Sequence, residues 1–273
     1  MPKGTFFYSI LQDCFYQSWN LINKGEKMET YQVVAIIPAA GIGQRMHAGT
    51  NKIWLQLGGR SILEHITILF QNLTFINHIV LAVNPDEIKE VKDFIRKNQD
   101  LDSAKFSLVL GGAERQNSVE NCLSFLQNWL GWETHQRLAL VHDAARVLIA
   151  PELIHIAIEQ CLIYNAVGIA VPVKDTIKQI DSEGFVSKTL DRSTLYAMQT
   201  PQVFDFNLLC DCYRQVAALD RKFTDDCSIV EHCGYQVKLV KGSYENFKIT
   251  TPEDLIMADT ILRRRQSASR TGI

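Results

Sequence analysis

The chain has 273 residues, of which 47% are hydrophobic, and its 28 basic and 30 acidic residues give a formal net charge of -2. This length is enough to bury a substantial core, and the near-neutral charge excludes a global basic field that would attract nucleic acid or an anionic membrane. Seven cysteines without paired CxxC spacing argue against a disulfide framework or a zinc ribbon. We therefore expect a cytoplasmic protein with reduced thiols.

The first segment of the chain predicts neither a membrane anchor nor a targeting signal. Its apolar stretch, residues 6–22, is interrupted by Gln12, Asp13 and Gln17, well short of the ~20 apolar residues that span a bilayer. We expect residues 1–30 to be an N-terminal extension that takes no part in the chemistry.

From residue 31 onward, short β-branched runs alternate with helical stretches, which is typical of a parallel sheet with crossover helices. Strands are predicted at VVAIIPA, HIVLAV, FSLVLGG and RLALV, and helices at SILEHITILFQNL, RQNSVENCLSFLQNWL and PELIHIAIEQCLIYN. Ser61 and Glu64 have capping-box spacing, and Asn84 precedes a proline at the start of a further helix. The pattern predicts a Rossmann-like, three-layer α/β/α fold around a mostly parallel twisted sheet.

The alternation stops after the strand AVGIAVPV. KDTIKQI, the turn DSEG and FVSKTLDR are typical of a β-hairpin. Because a two-stranded ribbon is marginal alone, this protruding β-arm, at about residues 173–198, must pack either on a partner subunit or on its own domain. Helical and strand patterns then resume, so we expect one domain over residues 31–265 and a C-terminal tail over residues 266–273.

The stretch VVAIIPAAGIGQRMHAGTNK carries the first chemical signal, because a predicted strand runs into Gly41-x-Gly43. A dinucleotide fingerprint is excluded, since Met46 replaces its third glycine and no acidic residue ends a second strand about twenty residues on. A Walker loop is excluded, since Lys52 lies eleven residues beyond Gly41. Two interpretations remain: a loop whose N–H groups approach a phosphate chain, with Arg45 and Lys52 supplying charge, or a tight turn beside two solvated cations.

The stretch VHDAAR places a carboxylate at the end of another buried strand. Asp143 is suited to hold Mg²⁺, which prefers one or two carboxylates together with phosphate oxygens, and Arg146 would bind a second phosphate. The residues alone leave open a structural ion pair between Asp143 and Arg146. His142 has no partner at zinc-ligand spacing, so we expect a packed or hydrogen-bonded histidine.

Five stretches, in order, resemble the 2-C-methyl-D-erythritol 4-phosphate cytidylyltransferase family of sugar-phosphate nucleotidyltransferases: PAAGIGQRM…NKIWLQLGGRSILEH, GGAERQNSV, VHDAAR, VPVKDTIK and TDDCSIVEHCGYQVKLVKGSYENFKITTPEDL. The resemblance, over residues 33–262, implies transfer of CMP from CTP to 2-C-methyl-D-erythritol 4-phosphate in non-mevalonate isoprenoid biosynthesis. It also implies Mg²⁺ or another divalent cation as cofactor and a homodimer formed through the arm, without nucleic-acid or membrane partners. A pentitol-phosphate enzyme acting on ribitol 5-phosphate is the alternative within this chemistry, and a nucleotide-binding regulator without turnover is the alternative outside it.

The resemblance also implies a role for each matching residue. The catalytic residues would be Arg45, Lys52 and Lys248, and the metal ligand would be Asp143. The CTP-binding positions would be Ala39, Ala40, Gly41, Gly43, Gly112, Ala113, Arg115, Ser118 and Ala144. The substrate-binding positions would be Arg146, Asp175, Thr176, Arg192, Thr200 and Glu245, with Arg192 donated by the neighbouring subunit. On the residues alone, Arg115 and Ser118 are equally compatible with solvation of a helix N-terminus, and residues 224–226 with a helix cap.

Overall fold

The computed structural model describes residues 31–41, 51–134, 136–219 and 221–271, with side chains as far as residue 267. The predicted extension, residues 1–30, lies outside the described residues, as do Gly43 and Arg45. The strands are β1 (Tyr31–Pro38), β2 (Gln56–Leu57), β3 (Arg60–Ser61), β4 (His78–Val83), β5 (Phe106–Leu110), β6 (Gln136–Val141), β7 (Ala166–Pro172), β8 (Lys178–Ile180), β9 (Val186–Thr189), β10 (Tyr196–Asp205) and β11 (Lys238–Lys241). The helices are α1 (Ile62–Gln71), α2 (Ile88–Lys97), α3 (Arg115–Gln127), α4 (Pro151–Tyr164), α5 (Phe206–Val216), α6 (Asp226–His232) and α7 (Pro252–Thr271).

Seven strands form the central sheet, in the order β11-β7-β10-β6-β1-β4-β5. β1 runs parallel to β4 and β6, β4 runs parallel to β5, and β11 runs parallel to β7. β10 is antiparallel to both of its neighbours, β6 and β7. It can reverse direction because the chain between β7 and β10 has no crossover helix, only the hairpin. The mostly parallel sheet predicted from the sequence is confirmed.

Side chains on both faces of the sheet are buried. In β1, Val33 and Ile37 belong to one hydrophobic cluster, which includes residues of α1, α2 and α4. Val34 and Ile36 belong to a second cluster, which includes residues of α3, α5 and α6. Burial on two faces explains why the strand has a continuous apolar sequence instead of an alternating one. The predicted three-layer α/β/α arrangement is therefore confirmed.

Two helix starts follow the capping residues seen in the sequence. Ser61 Oγ accepts a hydrogen bond from the Glu64 N–H at 3.1 Å and begins α1. Asn84 Oδ1 accepts one from the Asp86 N–H at 3.0 Å, at a 3₁₀ turn, Pro85–Glu87, that leads into α2. Because the Pro85–Glu87 turn follows β4 directly, it lies beside the carboxyl end of the central sheet.

The C-terminal helix is longer than the sequence predicted. α7 continues to Thr271, so the predicted tail, residues 266–273, begins as helix. Arg265 anchors this part of the helix, since its Nη2 donates to the Leu148 carbonyl at 3.0 Å and to Glu245 Oε2 at 2.7 Å. In the described part of the chain, neither α7 nor any other helix combines the length and apolar character needed to cross a bilayer.

The arm contains the predicted hairpin. β8 and β9 pair antiparallel, with Lys178 opposite Thr189, and every residue of both strands is exposed. Three large apolar side chains near the hairpin turn are largely in solvent: Ile180 is 60% exposed, Phe185 67% and Val186 58%. The hairpin is therefore confirmed, and its apolar side chains lie largely in solvent.

Candidate active site

The loops that follow β1 and β5 meet at the carboxyl edge of the sheet. The Ala39 N–H donates to the Ala82 carbonyl, and the Gly111 N–H donates to the Val83 carbonyl, both at 2.7 Å. A Cβ on Gly111 would lie 2.2 Å from the Ala40 Cβ, so only glycine permits this approach. The two predicted nucleotide loops are therefore neighbours, and Gly111 is a necessary residue that the sequence reasoning missed.

Ser118 shapes the loop after β5 from inside the protein. Its side chain is buried, and its Oγ accepts from the Gly112 N–H at 3.1 Å and donates to the Glu114 carbonyl at 3.2 Å. A Cβ on Gly112 would lie 2.3 Å from the Asn117 Cβ, which again requires glycine. Ser118 thus fixes the backbone at Gly112, and the exposed Ala113 follows in the same loop.

Asp143 lies just beyond β6 at the centre of a network of charged side chains. Its Oδ1 accepts from Arg115 Nε at 2.9 Å and its Oδ2 from Lys248 Nζ at 2.8 Å, while Arg146 Nε lies 3.8 Å from Oδ2. The carboxylate is 11% exposed and the lysine side chain 40%. Four predicted site residues, distant in sequence, are therefore brought together, with Lys248 on the side open to solvent.

The cations around Asp143 control its ionisation. Burial alone raises the pKa of Asp143, but the attraction of Arg115 and Lys248 outweighs burial and holds that pKa well below its usual range. Asp143 is therefore a carboxylate at neutral pH. An ionised carboxylate at this edge of the sheet can bind cations.

Arg115 lies between two carboxylates. Besides its bond to Asp143, its Nη2 donates to Asp226 Oδ2 at 2.8 Å, and Asp226 also accepts from the Tyr213 hydroxyl at 2.6 Å. Burial lowers the pKa of Arg115, but Asp226 and Asp143 raise it well above the ordinary value. The guanidinium is thus a permanent cation that orients Asp143 from within the fold.

Residues 224–226, interpreted from the sequence as a helix cap, have two functions. Asp225 does cap α6, because its Oδ1 accepts from the Ser228 N–H at 3.0 Å. Asp226, one residue on, is fully buried beside Arg115. One signal was present in the sequence: Asp226 precedes Ile229 by three residues and therefore shares its buried helix face. An acidic residue on such a face requires a buried partner.

His142 and Thr200 fix the backbone at Asp143. His142 Nε2 lies 3.1 Å from the Arg146 carbonyl, which can only accept, so Nε2 carries the proton. His142 Nδ1 therefore accepts from the Thr200 hydroxyl at 3.1 Å, and Thr200 Oγ1 accepts from the Asp143 N–H at 3.0 Å. Burial lowers the pKa of His142 to about 4, which keeps the ring neutral. The predicted core histidine is confirmed, and Thr200, assigned to substrate by resemblance, is buried beneath Asp143.

Arg146 ties the segment that carries Lys248 to the sheet. Its Nη1 donates to the Asn246 carbonyl at 2.8 Å and its Nη2 to the Met198 carbonyl at 3.4 Å. Asn246 is fully buried, and its Nδ2 donates to the Thr200 carbonyl at 2.8 Å. Arg146 is therefore engaged with backbone carbonyls, and Asn246 is a further residue that the sequence reasoning missed.

Glu245, assigned by resemblance to substrate, is bound by α7. Its Oε1 accepts from Arg264, and its Oε2 accepts from Arg265 Nη2 at 2.7 Å. These hydrogen bonds and charges, that of Arg265 first, lower the pKa of Glu245. In this structure the carboxylate anchors the C-terminal helix.

The remaining predicted positions are placed in three different environments. Asp175, Thr176 and Arg192 are exposed on the arm, where Arg192 Nη1 donates to the Lys174 carbonyl at 2.7 Å. Ala144 is buried behind Asp143. Lys52 begins a 3₁₀ turn, Lys52–Trp54, directly after Asn51, whose side chain caps the turn.

Among the described residues, no cluster of three His, Cys, Asp or Glu side chains could hold an ion. Protein groups alone therefore do not form a metal site there. A divalent cation at Asp143 would therefore need oxygen ligands from a bound molecule. Magnesium suits such a site, because it is commonly held by one or two carboxylates plus phosphate oxygens.

The chain is similar, in sequence and in structure, to proteins of one family. The family model of 2-C-methyl-D-erythritol 4-phosphate cytidylyltransferase matches residues 33–264. The chain is 40% identical over 231 residues to the enzyme of that name from Halalkalibacterium halodurans, covering 85% of this chain and 97% of that protein. It is 42% identical over 233 residues to the one from Syntrophotalea carbinolica, covering 84% of this chain and 96% of that protein. The crystal structure of 4-diphosphocytidyl-2C-methyl-D-erythritol synthase from Anaerococcus prevotii superposes with a TM-score of 0.72 at 33% identity, covering 85% of this chain and 96% of that one.

Proposed function

Because the chain belongs to the 2-C-methyl-D-erythritol 4-phosphate cytidylyltransferase family, we propose that the network around Asp143 is the site at which it transfers CMP from CTP to 2-C-methyl-D-erythritol 4-phosphate. The observation that carries the proposal is the convergence of Arg115, Lys248 and Arg146 on this one carboxylate. The family match favours methylerythritol phosphate over the pentitol phosphates as acceptor.

In this reaction an oxygen of the 4-phosphate attacks the α-phosphorus of CTP. A new P–O bond forms, the bond from the α-phosphorus to the bridging oxygen breaks, and pyrophosphate leaves with the electron pair. A phosphate monoester has a second pKa of about 6, so it is largely dianionic at neutral pH and needs no general base. The environment of His142 agrees with this, since both of its ring nitrogens are occupied by hydrogen bonds inside the core.

The chemical difficulty is electrostatic, because two anions must meet and the charge on the reacting phosphorus must be stabilised. Positioned cations can supply several kcal/mol of such stabilisation. Lys248 is suited to this role because its ammonium group is placed by Asp143 and yet remains 40% exposed. We assign Lys52, and Arg45 by resemblance, to the same role on the triphosphate, which would lie over the loops after β1 and β5.

We also propose Mg²⁺, or another divalent cation, as the cofactor, with Asp143 as its protein ligand. Two observations support this assignment. The pKa of Asp143 is held low, and the described side chains supply too few ligands for an ion, so phosphate oxygens would supply the others. When bound, the ion would neutralise part of the phosphate charge. Asp143 is held ready for it, because Arg115 and the Thr200 hydroxyl fix its side chain and its backbone.

The arm supports the proposal of a homodimer. A two-stranded ribbon is marginally stable alone, and Ile180, Phe185 and Val186 present an apolar surface that a second subunit would cover. Arg192 on this arm would then contact the substrate bound by the partner subunit. CTP and methylerythritol phosphate are the proposed small-molecule partners, in the cytoplasm, with no nucleic acid or membrane involved.

Replacing Lys52 tests the assignment of the site. We predict that Lys52→Ala lowers kcat for pyrophosphate release by about a hundredfold, as the loss of one preorganised transition-state contact typically does. Lys97→Ala, at the exposed end of α2, is the matched control and should keep the wild-type rate. An unchanged kcat in folded Lys52→Ala would refute the assignment.

Mixing two inactive variants tests the shared site. If Arg192 acts in the partner's site, a heterodimer of Lys52→Ala and Arg192→Ala has one site with both defects and one intact site. We predict that co-expressed heterodimers recover roughly half of the wild-type rate, since a two-fold dimer has two equivalent sites. Heterodimers as inactive as the parents would show that Arg192 acts within its own subunit, and a wild-type rate in the Arg192→Ala parent would show that Arg192 has no part in the site.

A further inference from the structure

Glu87 holds the turn that carries Lys52. Its Oε1 accepts a hydrogen bond from the Trp54 indole Nε1–H at 3.2 Å. Its Oε2 accepts one from the Asn51 side-chain amide. Asn51 and Trp54 lie on either side of Lys52 in the sequence, so one carboxylate binds both ends of the turn.

The turn needs such support because it is short. Lys52–Trp54 is a single 3₁₀ turn, closed by Leu55 N–H donating to the Lys52 carbonyl at 3.2 Å. Hydrogen-bond geometry in 3₁₀ turns is poorer than in α-helices. Ile53, which is buried, anchors the turn at one point in the core. The two hydrogen bonds to Glu87 add two further points and thereby limit rotation of the turn about Ile53.

Glu87 is itself joined to the central sheet. It ends the 3₁₀ turn Pro85–Glu87, and its N–H donates to the carbonyl of Asn84, the residue directly after β4. Trp54 also packs edge-on against Phe94 of α2, with ring centroids 5.9 Å apart. These contacts fix the position of Lys52 relative to the carboxyl edge of the sheet, where Asp143 also lies.

We propose that Glu87 is a positioning residue for Lys52. This inference rests on the proposed function, which gives Lys52 its contact with the triphosphate. Hydrogen bonds to an ionised carboxylate are stronger than neutral ones, so Glu87 is well suited to hold the turn. Displacement of a catalytic group by about 1 Å can cost up to a hundredfold in rate. The two hydrogen bonds to Glu87 therefore affect kcat even though Glu87 does not contact substrate.

Exchanging the donor and acceptor groups of Asn51 and Glu87 tests the proposal. Glu87→Gln turns an amide donor toward Asn51 or Trp54, and Asn51→Asp sets two carboxylates against each other. Each single change should lower kcat by about tenfold, with KM for methylerythritol phosphate within about twofold of wild type. The double variant Asn51→Asp/Glu87→Gln restores a donor opposite an acceptor, while the new amide carbonyl still accepts from Trp54. It should recover kcat to within about threefold of wild type.

The control variants distinguish a loss of positioning of Lys52 from a general loss of stability. Glu90→Gln changes an exposed carboxylate on α2, the helix that follows Glu87, and should leave kcat unchanged. Trp54→Phe removes one hydrogen bond, keeps an aromatic ring beside Phe94, and should lower kcat by about threefold. Urea unfolding of every variant provides the second readout. A wild-type kcat in Glu87→Gln, or a double variant no better than the singles, would overturn the proposal.

Lys52→Ala, measured alongside, distinguishes failure of the positioning role of Glu87 from failure of the proposed role of Lys52. A hundredfold loss in Lys52→Ala together with a wild-type rate in Glu87→Gln would overturn the positioning role and leave the proposed function standing. A wild-type rate in Lys52→Ala would overturn the proposed role of Lys52, and the role of Glu87 would fall with it.

Discussion

Replacing Arg115 with methionine tests whether this guanidinium stabilises the fold or binds the nucleotide. The change removes hydrogen bonds of 2.9 Å to Asp143 and 2.8 Å to Asp226. Removing one partner of a buried ion pair costs about 3–5 kcal/mol of stability, because it leaves an uncompensated charge. Tyr213 still donates to Asp226 and Lys248 still donates to Asp143, so we expect a value at the low end, about 3 kcal/mol.

Urea unfolding at pH 7, with kcat and KM measured on the same preparations, decides between the two roles. The matched control is Arg214→Met, because Arg214 also pairs with an aspartate, Asp211, but with side chains 68% and 55% exposed. The control should lie within about 0.5 kcal/mol of wild type. If Arg115→Met were as stable as the control and raised only the KM for CTP, Arg115 would be a nucleotide ligand and the framework role would be refuted.

Two further predictions concern the surroundings of Asp143. Thr200→Val removes both the acceptor for the Asp143 N–H and the donor to His142, so we expect a loss of about 2–3 kcal/mol in urea unfolding and a lower kcat. Thr200→Ser keeps the hydroxyl and should stay within about 1 kcal/mol; equal losses in both variants would exclude a role for the hydrogen bonds. Because the attraction of nearby cations outweighs burial and depresses the pKa of Asp143, its ionised form adds stability above about pH 4 that is lost as the pH falls further. Urea midpoints measured between pH 7 and pH 3 should therefore fall more steeply in wild type than in Asp143→Asn, and parallel curves would contradict the account.

The features that the sequence predicted correctly depend on local signals. β1 is a continuous apolar run because both faces of the strand are buried, and that pattern is visible without any knowledge of neighbouring strands. Ser61 caps α1 through an interaction that spans three residues. Asp143 lies just beyond the buried end of β6, as the apolar run before it in the sequence predicted.

The features that the sequence missed depend on contacts between distant segments. Arg115 and Asp226 are separated by 111 residues and meet only because α3 and α6 cover the same face of the sheet. Asn246 reaches the Thr200 carbonyl across 46 residues. Family resemblance assigned Thr200 to substrate, yet its hydroxyl is used within the core, so a matching residue type did not reveal which way the side chain faces.

The most direct test of the proposed function is a coupled assay of pyrophosphate release with CTP, Mg²⁺ and one of two acceptors. We predict rapid, magnesium-dependent release with 2-C-methyl-D-erythritol 4-phosphate and little release with ribitol 5-phosphate. Release that is equal with the two acceptors, or that is unaffected by removal of divalent cations, would contradict it.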